Sequence, residues 1–142
     1  MNKLRIVRAG PDQARLLDRV DPEVFDAPIV PERLAACLAA PHHLMVLALD
    51  GELVVGMTTA MIHLHADRVT ELYIDEVGTA GPWRRRGIAR MMLEEMMAWG
   101  RDRGCEDIWV GAETDNAPAR ALYARYAEPT GCVIYSWEPP SA

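Results

Sequence analysis

The sequence predicts an α/β domain: a mixed sheet with helices packed on its faces. Three observations lead there. Short β-rich runs alternate with segments of helical period along the chain, in the order β-α-α-β-β-β-α-β-α-β. Asp50-Gly51 joins the two longest β-rich runs, and an Asp-Gly pair supplies the positive φ that a tight hairpin needs. Helix starts are marked by Pro11-Asp12 and by Asp115 or Asn116 followed by Pro118.

Leu4 to Val7, "LRIV", reads as the first strand, and "PDQARLLDRV" after it as a helix. Asp21 to Pro31 holds Pro22, Pro28 and Pro31 and reads as a loop. "PERLAACLAA" reads as a second helix stopped by Pro41. "HLMVLAL" and "ELVVGMTTAMIHL" form the predicted hairpin, and Thr70 to Thr79 the next strand. Ile88, Met92, Met96 and Trp99 recur at helical spacing between residues 86 and 103, with Gly104 placed to end that helix. Met91, Met92, Met96 and Met97 are most simply its core packing. "CEDIWVGAE" reads as a strand, "DNAPARALYARY" as a helix and "CVIYSWE" as a last strand.

A chain of 142 residues suits one domain spanning residues 1–142, with one sizeable core. No apolar run approaches the ~20 residues of a membrane helix, and the start of the chain carries no secretory pattern. A cytoplasmic protein without a membrane partner is expected. Cys37, Cys105 and Cys132 lie far apart with no CxxC pair, so reduced thiols are expected rather than a zinc site or disulfides. His63 and His65 alternate on a strand without an evident third ligand, so no metal is expected. The formal net charge of −6 speaks against a nucleic-acid partner and suits a cationic one.

"GPWRRRGIARMM", residues 81 to 92, therefore needs another explanation. It runs from a strand into a helix N-terminus, where unpaired N–H groups and a partial positive charge attract anions. Gly87 lets the backbone approach a phosphate and Ala89 keeps the next contact small. Arg84, Arg85, Arg86 and Arg90 add charge and bidentate donors, so a pyrophosphate is the natural guest. The two familiar nucleotide loops, GxxxxGK[ST] and GxGxxG, are absent. A capped helix with surface arginines is the plain alternative.

Arg84-x-x-Gly87-x-Ala89 resembles the signature of the GCN5-related N-acetyltransferases, Gln/Arg-x-x-Gly-x-Gly/Ala. A second block of that family, N-x-x-A-x-x-L-Y, is matched by Asn116, Ala119, Leu122 and Tyr123. The resemblance runs from about Thr70 to Tyr126. "RAGPDQ", "VVG" at Val54 to Gly56 and "RRRGIA" bring the chain nearest to the type I aminoglycoside 3-N-acetyltransferases.

This resemblance implies a mixed, mostly antiparallel sheet that splays between two parallel central strands. It implies acetyl-CoA as cosubstrate, with the pyrophosphate held over Arg84, Arg85, Arg86, Gly87, Ile88, Ala89 and Arg90, and Asn116 contributing. Val77 and Thr79 would pair with the pantetheine arm, with Gly78 between them as a bulge. The Val77 N–H would stabilise the carbonyl oxygen. Tyr123 would protonate the leaving sulfur, its alternative being a core aromatic. Glu76 would serve as base, through water, with Asp75 as an acceptor contact or an exposed side chain. Strand alternation sets Asp75 and Glu76 on opposite faces, so at most one looks into the acceptor cleft.

The implied reaction is direct attack of a primary amine on the thioester. The acceptor would be an aminoglycoside or a similar cationic small molecule. Asp18, Asp21, Glu23 and Asp26 crowd a loop bordering the cleft, and Asp26 is taken with Asp75 and Glu76 as acceptor contacts. Solvated turn acids are the plain reading of the same residues. A peptide amine is the rival acceptor, and a non-catalytic acyl-CoA sensor the rival function. Family members often carry two more strands after the Leu-Tyr helix, whereas one is legible here. A homodimer that completes the sheet is therefore expected.

Overall fold

The computed structural model describes residues 3–141. Five strands form one sheet in sequence order: β1 (Leu4–Ala9), β2 (His43–Asp50), β3 (Leu53–His63), β4 (Glu71–Thr79) and β5 (Asp107–Val110). The first four run antiparallel, and β5 lies parallel to β4. The helices are α1 (Pro31–Ala39), α2 (Ile88–Asp102) and α3 (Ala117–Tyr123). The chain divides after Gly111 into two compact units. The first holds the sheet, α1 and α2, and the second holds α3 and the tail.

Both faces of the sheet are covered within the first unit. On one face Met45, Leu47, Leu49 and Met57 cluster with Leu17 of a 3-10 helix (Pro11–Asp18) and Leu38 of α1. On the other face α2 buries Met92, Leu93 and Met96, leaving each at most 2% exposed. A buried side chain of this size contributes roughly 1.5–3 kcal/mol, so the methionine run is core packing. Gly56 and Gly100 let strand and helix meet: side chains there would stand 3.0 Å from Met92 and 2.8 Å from Leu72.

Local signals act as expected in several places. Gly51, with φ 62°, turns the hairpin between β2 and β3. Gly104, with φ 84°, ends α2, with Gly104 N–H on the Arg101 carbonyl at 3.0 Å and Cys105 N–H on that of Gly100 at 2.9 Å. Asn116 caps α3, its Oδ1 accepting from Ala119 N–H at 3.2 Å.

Four expectations are corrected. Residues 11–18 wind as a 3-10 helix, opened by Gln13, whose N–H donates to the Gly10 carbonyl while its side chain accepts from Gly10 N–H. β3 ends at His63, which leaves His65 in the following loop. β5 is four residues long instead of the nine of "CEDIWVGAE". Cys132 to Glu138 forms no strand. Its β-branched and aromatic residues fit a pleated, half-buried surface, but a strand also needs a neighbour for its amides. Val133, Ile134, Tyr135 and Trp137 are 76–81% exposed.

Candidate functional site

β5 stops short of the end of β4, at the place where the resemblance sets the cofactor cleft. β4 and β5 pair from Glu71↔Asp107 to Ile74↔Val110, and β4 then runs on alone to Thr79 on that side. Ala80 N–H donates to the Val55 carbonyl at 2.9 Å, and the Glu76 carbonyl accepts from Thr58 Oγ1 at 2.7 Å, so both point towards β3. Alternation then turns the backbone of Val77 and Thr79 the other way, into the gap. The Thr79 Oγ1 is buried with no hydrogen-bond partner among the described residues. A buried hydroxyl left over beside outward-facing backbone groups fits an extended polar guest.

A bulge rearranges the carboxylates. Thr59 opposes Glu76 while Ala60 opposes Ile74, so Asp75 is the extra residue, and the bulge is here rather than at Gly78. The strict alternation that sets Asp75 and Glu76 on opposite faces therefore fails. Burial and Asp75 push the Tyr73 hydroxyl upward, and the charges of Asp75 and Asp26 both act on Glu76. The bulge thus sets Asp75 and Glu76 on one face, and the charge of Asp26 reaches Glu76. Burial, then Asp75 and Asp26, push the Glu76 carboxyl above the ordinary range, against an opposing contact from Thr59. Gly78 is needed for another reason: a side chain there would begin 2.5 Å from the Val24 carbonyl oxygen.

The arginine loop ends in an unusual backbone. Arg85 has φ 62° and Gly87 φ 76°, two left-handed residues within three positions. Arg85 has no glycine freedom, and strain of this kind gathers at functional sites. Gly87 caps α2 without any side chain, and nothing lies within 4 Å of where its own would stand. The first intrahelical bond joins Met91 N–H to the Gly87 carbonyl at 3.0 Å, so the amides of Ile88 and Ala89 lie ahead of it. An open cap, a helix start and exposed Arg85 and Arg86 fit a pyrophosphate. Arg84 turns back, its Nε donating to the Thr79 carbonyl at 3.0 Å. Arg90 pairs with Glu94 at 2.9 Å. The Ile88 side chain is buried, which leaves its amide as the group facing out.

In the second unit, Asn116 spends its side-chain carbonyl on the α3 cap. Tyr123 ends that helix, half-buried, and burial pushes its hydroxyl upward. It stays protonated well beyond neutral pH.

Several participants carried no readable signal in the sequence. Trp83 Nε1 donates to Asp50 Oδ2 at 2.8 Å, pegging the start of the arginine loop to the hairpin of β2 and β3. Cys37 Sγ lies 3.3 Å from His43 Nδ1, and burial and Glu76 raise its thiol. Of the other loop acids, Asp21 Oδ1 accepts from Glu23 N–H at 3.0 Å and Glu23 Oε2 from Gly81 N–H at 2.6 Å, both serving the backbone. Trp83–Asp50 and Glu23–Gly81 bridge 33 and 58 residues, and the others lie within a turn or between α1 and β2, contacts that no spacing encodes. His65 pairs with Glu71 and stacks near His63, with ring centres 4.5 Å apart. Among the described residues no three His, Cys, Asp or Glu are grouped to hold a metal. No described helix is long and apolar enough to cross a membrane.

Parallel strands that part beside a helix start open to an anion are the arrangement of an acyltransferase family. The chain matches the acetyltransferase (GNAT) family over residues 12–127 and belongs to it. It is an N-acetyltransferase, and its cosubstrate is acetyl-CoA. No curated protein matches its sequence significantly. Its fold is similar to that of aminoglycoside acetyltransferase HMB0005 from an uncultured soil metagenomic sample. That likeness has a TM-score of 0.86 at 22% identity, covering 97% of this chain and 99% of the other. It is also similar to the aminoglycoside enzyme AAC(6′)-Iy, solved with the bisubstrate analogue CoA-S-monomethyl-acetylneamine (TM-score 0.80, 17% identity, 98% and 100% covered). A transcriptional regulator from Bacillus halodurans C-125 shares the fold as well (TM-score 0.73, 15% identity, 96% and 99% covered).

Proposed function

We propose that this N-acetyltransferase acetylates a primary amine of an aminoglycoside or a comparable cationic small molecule. The observation that carries the proposal is the bulge that sets Asp75 and Glu76 on one face beside the unpaired end of β4, with the charge of Asp26 acting on Glu76. Carboxylates so placed hold a polycation, and the raised Glu76 retains the affinity to accept a proton from it. The names of the solved neighbours support the same acceptor class. The subgroup likeness favours the 3-amino group, and a neighbour of the 6′ type brings in the 6′ position, so product NMR decides between them.

Acetyl-CoA supplies the acetyl thioester. Glu76 takes the amine proton, directly or through water. The Val77 N–H, turned into the gap, donates to the carbonyl oxygen as charge develops. Tyr123 is proposed as proton donor to the leaving sulfur. Its motif and its hydroxyl, held protonated by burial, support that role. Arg85, Arg86, Gly87 and the amides of Ile88 and Ala89 hold the pyrophosphate, with Thr79 along the arm. Arg84 and Arg90 support the loop through Thr79 and Glu94, and Asn116 acts through the α3 cap. The family match spans both compact units, which supports one catalytic domain over residues 1–142.

Calorimetric titration with a neamine-type compound tests the acceptor class. Affinity should fall in Asp26→Asn and Asp75→Asn, and fall with added salt. Unchanged affinity in both variants contradicts the proposal. We also propose that two copies associate through the exposed apolar run Val133 to Trp137, since surface of this kind seeks cover. A monomer mass by light scattering at micromolar concentration contradicts that.

A further inference from the structure

We infer that Glu23 is a positioning residue that ties the acceptor-side loop to the cofactor loop, so that one carboxylate holds the two regions in register. The inference rests on the functional reading above. The loop from Asp21 to Asp26 is fixed at its start, where Asp21 N–H donates to the Val54 carbonyl at 2.9 Å and Val24 N–H to that of Asp21 at 3.0 Å. Val24 is 3% exposed, sunk into the core, and its carbonyl fills the place a Gly78 side chain would take.

Glu23 reaches outward from this anchored stretch. Its Oε2 accepts from Gly81 N–H at 2.6 Å, a short, charge-assisted bond. Gly81 opens the turn Gly81–Trp83 that leads into Arg84 to Gly87. A side chain at Gly81 would begin 2.9 Å from the same oxygen, so glycine there lets the carboxylate close. Three positions after Glu23, Asp26 acts on Glu76. One short loop therefore carries a charge that acts on the proposed base and a carboxylate bonded to the start of the proposed pyrophosphate loop. Charge gives no reason for Glu23 to be there. A carboxylate beside a loop that receives a polyanion is unfavourable electrostatically, whereas a fixed amide geometry is a reason.

The sign of the effect on CoA affinity separates the two. On charge alone, Glu23→Ala and Glu23→Gln both remove a negative charge near the anion and bind CoA as well as wild type or better. The tie predicts a split. Glu23→Gln keeps a carbonyl oxygen for Gly81 and binds CoA within about twofold of wild type. Glu23→Ala leaves Gly81 without its partner and binds about three- to tenfold more weakly. Calorimetry with CoA reads the split, and thermal unfolding confirms that both variants are folded. Equal affinity in all three proteins, or tighter binding in Glu23→Ala, overturns the inference. Absence of CoA binding by the wild-type protein instead sinks the functional reading beneath it.

Discussion

Gly87 carries the sharpest consequence of the cofactor loop. Its φ of 76° is left-handed, and the space where a side chain would stand is open to 4 Å. Alanine there meets no clash within the protein and pays only for its backbone, about 1–2 kcal/mol. In a domain of this size each kcal/mol lowers Tm by roughly 2–4 °C, so Gly87→Ala should lose about 2–8 °C. Asparagine tolerates the left-handed region, so Gly87→Asn should lose less. Both put atoms where the proposed site would receive the pyrophosphate, and both should weaken CoA binding at least about tenfold. Gly87→Asp adds repulsion. At a separation of about 4 Å it costs about 1 kcal/mol in water and about 4 at an effective dielectric of 20, roughly fivefold to a thousandfold in Kd. Titration calorimetry with CoA, beside thermal unfolding, separates the backbone effect from the ligand effect. CoA affinity that stays at the wild-type value in Gly87→Asn and Gly87→Asp, while Tm shifts as calculated, refutes the reasoning.

Other consequences concern the catalytic face. Glu76→Gln should lower kcat/KM about a hundredfold and remove the acid limb of its pH profile, which in wild type should lie above the ordinary carboxylate range. The same raised carboxyl contributes stability below its unfolded pKa that is lost as pH rises through the folded one. Glu76→Gln should therefore melt higher than wild type at pH 8, and a lower Tm there contradicts the cause assigned to the shift. Tyr123→Phe should cut turnover at least about tenfold with CoA affinity within about twofold, and unchanged turnover removes the tyrosine from the chemistry. Gly78→Ala forces the Val24 backbone to move from 2.5 Å, an overpacking of about 1–3 kcal/mol, visible as a fall in Tm of roughly 2–12 °C.

Much of this was legible in the residues. Local chemistry wrote the hairpin at Asp50-Gly51, the end of α2 at Gly104 and the Asn116 cap, because each depends on one residue's own φ or side chain. The loop into α2 was legible because its glycine cap, its arginines and the helix start are contiguous in the chain. What depended on partners distant in sequence was hidden. The bulge at Asp75 is set by the register against Thr59 and Ala60, and it brought two acids together that alternation had set apart. Trp83 on Asp50 and Glu23 on Gly81 bridge 33 and 58 residues. The run from Cys132 to Glu138 shows the converse: strand-forming side chains do not make a strand without a neighbour for their amides.

The central claim is acetyl transfer to a cationic amine with Glu76 as base. Its most direct measurement is thiol release from acetyl-CoA, confirmed by product mass. The panel holds aminoglycosides, linear polyamines, amino acids and basic peptides, with wild type and Glu76→Gln side by side. Turnover is expected with the polycations, strongest for aminoglycosides, weakening as salt rises and nearly lost in Glu76→Gln. Release no higher than background for every amine, or turnover confined to neutral and acidic amines, contradicts it.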